Sequence, residues 1–231
     1  MSDTSRVPAV VLSITPEVAT LLRLGVVAAA PVAVGPAGPA LVEELRLVAE
    51  RSVERHAGHE PAAIASLQPA RELYRAFGID PTKTRPSSES LLRRVLKGQP
   101  LPRINSAVDL CNVLSLGFLL PIGLYDAREI DGPVELRAGR PGESYPGIRK
   151  EQVHLAGRPV LADRRGAFGN PTSDSLRTAV AESTTALWMV IFGPQSLPGS
   201  TMEVHVLAAR EAIERHLGHE RAPALTTGAV F

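Results

Sequence analysis

Between residues 83 and 103 the sequence sets six basic side chains, Lys83, Arg85, Arg93, Arg94, Lys97 and Arg103, against one acid, Glu89. The apolar residues Leu91, Leu92, Val95 and Leu96 define the buried side of a helix here, so Arg93, Arg94 and Lys97 project outward. Arg94 and Lys97, three apart, share a face. Lys83 and Arg85 stand just before the helix start, where backbone N–H groups and the helix dipole also favour an anion. A ridge of this kind suits the backbone phosphates of a structured RNA. The alternative is a solvated helix face, or salt bridges to acids elsewhere. Gly78 and Lys83 do not supply the glycine spacing of a phosphate loop, which excludes nucleoside triphosphate binding by that route.

Two further clusters are polar rather than cationic. In "DLCNVLS" (109–115), Val108, Cys111, Asn112 and Ser115 fall on one face of a helix that is otherwise apolar, and a small polar notch is expected there. A buried amide such as Asn112 needs partners, whether protein, water or ligand. Cys111 has no nearby base or electropositive setting to make it a nucleophile, and reads as a small core residue. In "FGNPTSDSLRT" (168–178), Thr172, Ser173, Asp174, Ser175, Arg177 and Thr178 crowd hydroxyls, a carboxylate and a guanidinium into one turn. That mixture suits an amino acid or a ribose, or else a turn whose side chains satisfy its own backbone. His56/His59 and His216/His219 are three apart near helix ends, but no usual zinc ligand set accompanies them, so no metal and no cofactor is expected. No Ser-His-Asp arrangement can be read from the sequence.

These clusters need a frame. A chain of 231 residues, 44% hydrophobic, suffices for one globular domain. A net charge of +1 gives no global attraction to nucleic acid or membrane, so any such attraction must be local. A single cysteine forbids an internal disulfide and points to the cytoplasm. The uncharged run 24–42 is broken by Pro31, Pro36 and Pro39 and reads as a strand followed by a loop, not a membrane span.

Strands are expected at 7–14 and 26–34, the second pushed to a sheet edge or bulge by Pro31. Between them a short helix is capped by Thr15 and ended by Gly25. Helices follow at 40–56, at 69–78, at 87–98 with Ser87 as cap, and from 106, where "SAVD" reads as a capping box. Strands are then expected at 132–139, 153–163 and 185–193, and a closing helix at 201–218. The fold class is α/β, mixed and α+β-like: a single domain of mixed sheets packed by helices. Residues 1–68 form its N-terminal part, 69–218 its core and 219–231 a frayed tail.

With these elements in place, "RINSAVDLCNVLSLGFLLPIGLYDAREIDGPVELRAGRPGE" (103–143) resembles the tRNA-binding and editing module formed by the third and fourth domains of the phenylalanyl-tRNA synthetase β subunit. The matching residues are Val108, Asp109 and Asn112 on the helix, Pro121, the pair Tyr125-Asp126, then Arg137 or Arg140, Gly142 and Glu143. "GIDPTKTRPSSESLLRRVLKG" and "FGNPTSDSLRT" resemble free-standing proteins built from that module alone, and the likeness spans roughly 70–193. The resemblance implies a module that binds tRNA-related ligands. In the synthetase its pocket uses a Thr-Asn pair, a histidine and a glutamate to hydrolyse mischarged aminoacyl-tRNA. Here the pair becomes Cys111-Asn112, the histidine position is Gly123, and the glutamate has no match; Asp174 is the nearest acid.

The expectation is a stand-alone module binding tRNA or aminoacyl-tRNA, with deacylation of mischarged tRNA in trans as a possible activity. Lys83, Arg85, Arg93, Arg94, Lys97 and Arg103 would contact RNA. Asn112, Ser115, Asp126, Ser173, Asp174 and Arg177 would form the ligand pocket. The alternative is a protein that binds a small amino-acid-like molecule without RNA.

Overall fold

The computed structural model describes residues 11–148, 150–218 and 225–231. Its organising strand is the fully buried run "LWMVIFGP" (187–194). In order along the chain the elements are β1 (Leu12–Ile14), α1 (Pro16–Ala19), β2 (Leu22–Ala30), α2 (Pro39–His56), α3 (Gln68–Ala76), α4 (Ser87–Leu96), α5 (Ser106–Phe118) and β3 (Ile122–Asp126). There follow β4 (Val134–Ala138), β5 (Ser144–Gly147), β6 (Lys150–His154), β7 (Pro159–Asp163), β8 (Gly166–Gly169), β9 (Leu187–Pro194), α6 (Gly199–Leu217) and β10 (Leu225–Val230).

The central sheet is antiparallel, in the order β10-β2-β9-β3. Every residue of β9 is buried, because both faces of the sheet are covered. Side chains alternate across a strand. Trp188, Val190 and Phe192 meet Leu136, Leu161 and Phe168 of the second sheet on one side, together with Leu73 and Tyr74 of α3. Leu187, Met189 and Ile191 meet Leu110 and Leu114 of α5 and Met202, Ala209 and Ile213 of α6 on the other. The second sheet runs β1-β4-β7-β8, with β1 and β4 parallel and the rest antiparallel; β5 and β6 make a separate ribbon. A third apolar cluster, including Leu45, Leu67, Leu92, Val95 and Leu116, fastens α4 to α2 and α5. The mixed α/β class expected from the sequence is the class of the structure.

Several local expectations need correction. Gly25 does not end a helix: α1 is a single turn ending at Thr20, and Gly25 lies inside β2. Pro31 does not put its strand at an edge, because β2 stops at Ala30 and lies between β10 and β9. Pro86 rather than Ser87 precedes the first turn of α4. The helix from 106 is capped by Asn105, whose side chain accepts from the Val108 N–H at 2.9 Å, while the Ser106 hydroxyl accepts from the Gly35 N–H. The stretch 153–163 is split by a turn between β6 and β7. The tail is not loose beyond residue 224. Its strand β10 pairs along β2, and Phe231 and Leu24 exchange two backbone bonds of 2.9 Å. A paired edge satisfies backbone groups that would otherwise be left open. The first part of the expected strand at 7–14, and His219, lie outside the described residues. Among the described residues no helix is long and apolar enough to cross a membrane.

Candidate functional site

The turn at 170–174 has the polar composition of a site, and most of that polarity is spent on its own shape. Asn170 Oδ1 accepts from the Thr172 N–H (2.7 Å), the Thr172 hydroxyl (2.7 Å) and the Ser173 N–H (3.0 Å). The Ser175 hydroxyl caps the next short turn by accepting from the Arg177 N–H. The chain's three tyrosines then fasten the turn from three elements. Tyr74 on α3 donates to the Pro171 carbonyl at 2.7 Å, Tyr145 on β5 to the Ser173 carbonyl at 2.5 Å, and Tyr125 on β3 to Asp174 Oδ1 at 2.8 Å. Asn170 Nδ2 donates to the Tyr145 oxygen. Buried phenols seek such partners, and here they rigidify the loop. Burial pushes all three phenols above their ordinary range, with the Asp174 carboxylate adding to it.

Against this turn lies a cavity of about 910 Å³. Arg85, Arg93, Arg94 and Lys97 line it together with Asn112, Ser173 and Asp174; Val108, Ile122, Leu124, Ile148 and Val180 supply apolar wall. The basic helix and the hydroxyl-rich turn therefore border one space. Asn112 Nδ2 is buried with no hydrogen-bond partner among the described residues, which leaves an orphan donor beside the cavity. Asp174 is half-buried. Desolvation raises its carboxyl to about 7, although hydrogen bonds from Tyr125 and from the backbone at Leu124 and Asn170 pull it back. Cys111 also lines the cavity, but burial, reinforced by Asp174, lifts its thiol to about 12. A group held so firmly as the thiol is a poor nucleophile at neutral pH.

The basic rim is partly committed to structure. Glu89, with a side chain 2% exposed, accepts from Arg71 in a two-pronged pair (2.8 and 2.9 Å) and from Arg93 at 2.8 Å, with Arg85 at 3.7 Å. The acid thus collects guanidiniums instead of merely suiting a helix terminus. Arg94 donates from Nε to the Pro100 carbonyl, and a carbonyl leaves its charge uncompensated. Two expected RNA contacts lie elsewhere. Lys83 is exposed on the connector before α4 and does not line the cavity. Arg103 is held by Asp109 at 2.9 Å and lines a separate depression beside α2. Asp109 also accepts from the Ile104 N–H, so its place in the motif is to clamp the start of α5.

Three expected pocket residues are also displaced by structural bonds. Ser115 turns away and donates to the Leu120 carbonyl at 2.8 Å, where the chain leaves α5 through the left-handed Leu119. Asp126 accepts from the Arg128 N–H and the Thr184 hydroxyl, tying two turns together. Arg177 pairs through both prongs with the fully buried Asp163 (2.9 and 3.0 Å) and lies over the Phe168 ring. Asn112, Ser173 and Asp174 remain at the cavity.

Sequence reasoning passed over the part played by Tyr125. A methyl group added at Gly123 would lie 2.1 Å from the Tyr125 hydroxyl, and one at Gly169 would lie 2.3 Å from it. Residues i and i+2 of a strand share a face, so the phenol folds back over Gly123. The position that the resemblance assigns to a histidine therefore has no room for any side chain while Tyr125 stands there. An aromatic two residues after a glycine in a strand was the available signal. Among the described residues no group of three or more His, Cys, Asp or Glu side chains gathers to hold a metal.

The model of the B3/4 domain matches residues 69–208, the stretch from α3 into the first half of α6, which includes every residue lining the cavity. The chain belongs to the B3/4 domain family. B3/4 is a domain of the phenylalanyl-tRNA synthetase β subunit, the module named by the resemblance. Among solved structures, an N-terminal fragment of the phenylalanyl-tRNA synthetase β subunit from Pyrococcus horikoshii is 16% identical, with a TM-score of 0.42 over 90% of this chain and 50% of that one. The B3/4 chain thus spans about half the length of that fragment. No curated protein matches it.

Proposed function

We propose that this B3/4 chain binds the aminoacylated end of tRNA, with phosphate held by the basic rim and the aminoacyl group received beside Asn112, Ser173 and Asp174. One observation carries the reading: Arg85, Arg93, Arg94 and Lys97 border the same cavity as the tyrosine-fastened turn. Arg94 and Lys97 supply most of the free charge, since Glu89 engages Arg93 and Arg85. A salt titration of tRNA binding tests it. Log affinity should fall linearly with log salt, and Arg94→Glu/Lys97→Glu should weaken binding at least ~10-fold and reduce the slope by about two. No binding at low salt would overturn the reading. The Glu89 pairing favours a second reading, a small amino-acid-like ligand without RNA, and that result would leave it standing.

The reading extends to ester hydrolysis. The orphan Nδ2 of Asn112 is a donor suited to an ester carbonyl, where charge develops during attack. Mischarged tRNA should lose its amino acid faster with the protein than in buffer, and Asn112→Ala should lower that rate by about 10²-fold or more. A rate equal to buffer would remove hydrolysis and leave binding untouched.

A further inference from the structure

Four carboxylates among the described residues leave solvent by taking an arginine. Glu89 has Arg71, Asp109 has Arg103, Glu143 has Arg137 and Asp163 has Arg177, each at 2.7–2.9 Å. Asp174 lines the cavity, and no cation among the described residues pairs with it. Its donor in the structure is neutral, the Tyr125 hydroxyl at 2.8 Å. A carboxylate offers about four acceptor positions, so Asp174 remains able to accept from a ligand. Among the described residues, Asp174 is also the only acid on a cavity wall that carries four basic residues. The cavity is therefore polarised, negative at the turn and positive along α4.

We propose that Asp174 is the ammonium subsite of this cavity, and that the ligand class is an α-aminoacyl group with a free amine joined to a phosphorylated ribose. The inference rests on the aminoacyl-end reading above and adds which atom of the ligand the turn recognises. The ligand amine enters as the missing counter-ion of Asp174, while its phosphate meets Arg94 and Lys97. Between the two, the aliphatic wall of Val108, Ile122, Leu124, Ile148 and Val180 receives an apolar side chain. A half-buried carboxylate without a cation still bears part of the cost of desolvating its charge, and binding an ammonium relieves that cost. A ligand whose amine is blocked gains nothing there and leaves the carboxylate more deeply desolvated.

The preference carries a pH signature. The groups facing Asp174 are Tyr125 from β3, Tyr145 from β5, Tyr74 from α3 and Cys111 from α5; Arg158 acts on Tyr74 and Tyr145. The phenols and the thiol are all shifted upward and stay neutral near pH 7, which leaves Asp174 as the group that titrates. An ammonium binds the ionised carboxylate, so affinity rises as pH climbs through about 7. It falls again once the ligand's own amine deprotonates, above about 8.

The probe is an adenosine monophosphate whose ribose carries a leucyl group through a stable amide, compared by calorimetry with the same molecule acetylated on its amine. The free-amine probe should bind the wild-type chain at least ~10-fold more tightly, with the advantage growing as pH rises through about 7. In Asp174→Asn, which keeps an acceptor for Tyr125, the advantage should disappear. Equal affinity of the two probes for the wild type, a comparison that needs no variant, would overturn the ammonium subsite and leave tRNA binding intact. An advantage that persists in a folded Asp174→Asn protein would also overturn it. If neither probe binds, the subsite falls; tRNA binding in the salt titration then decides separately whether the broader reading falls with it.

Discussion

Glu89→Ala is expected to destabilise the protein by about 3–5 kcal/mol, as breaking a buried ion pair by removing one partner does. The carboxylate is 2% exposed and Arg71 only 10%, so its loss removes the counter-ion of a guanidinium inside the junction of α3 and α4 while leaving its bond to the Pro61 carbonyl. Arg93 loses the same partner on the outer side. Burial pushes the Glu89 carboxyl up, but the hydrogen bonds and charges of Arg71 and Arg93 outweigh it and hold the group below its ordinary range. A depressed carboxylate contributes its stability above the unfolded value, near ~4.3, and loses it as pH falls through the folded value. The gap between wild type and variant in urea unfolding should therefore be full at pH 7 and narrow on acidification below about 4. Arg71→Met/Glu89→Leu, which removes both buried charges and leaves only the more exposed Arg93 and Arg85 without Glu89, should recover most of the loss. A cost under about 1 kcal/mol at neutral pH would mean the cluster behaves as an exposed pair.

Gly123→Ala is the second large effect. The added methyl would stand 2.1 Å from the Tyr125 hydroxyl and 2.6 Å from its ring carbon. The ring has no free direction: Tyr125 is fully buried, edge-on to Phe168 at 5.2 Å and tilted against Trp188 at 6.0 Å, with Gly169 closing on the hydroxyl from the other side. Overpacking costs about 1–3 kcal/mol, and a displaced hydroxyl leaves Asp174 short of a donor for about 1–3 kcal/mol more. At roughly 2–4 °C per kcal/mol for a chain of this size, thermal unfolding should drop by about 5–20 °C. Tyr125→Phe removes only the hydrogen bond and should cost less. A Gly123→Ala protein that melts with the wild type would show that the phenol can move aside, and the account of the missing histidine would fail with it.

The sequence by itself determined the fold class, the helices that line the cavity and the two clusters that border it. Periodicity did this. The run of β9 is apolar on both faces because it is covered on both, and α4 shows one apolar stripe because it docks by one side. Asn112 and Asp174 were legible as polar groups in segments otherwise committed to core and turn. The third member of that arrangement was not legible. Tyr125 reads as an ordinary strand aromatic, and only the folding of β3 against β8 brings its hydroxyl between Gly123, Gly169 and Asp174.

Tertiary structure alone decided which charges stay free. Arg103, Arg177 and Arg71 are as basic in sequence as Arg94. Each meets a carboxylate delivered from another turn or helix, at separations of 6, 14 and 18 residues, and no local rule foretells such meetings. Ser115 was lost from the cavity because its hydroxyl donates to the carbonyl of Leu120, just beyond the end of α5. Side-chain type and spacing say what a residue offers. Whether that offer faces a ligand or a neighbour depends on which distant segment packs against it, and packing is a property of the whole chain.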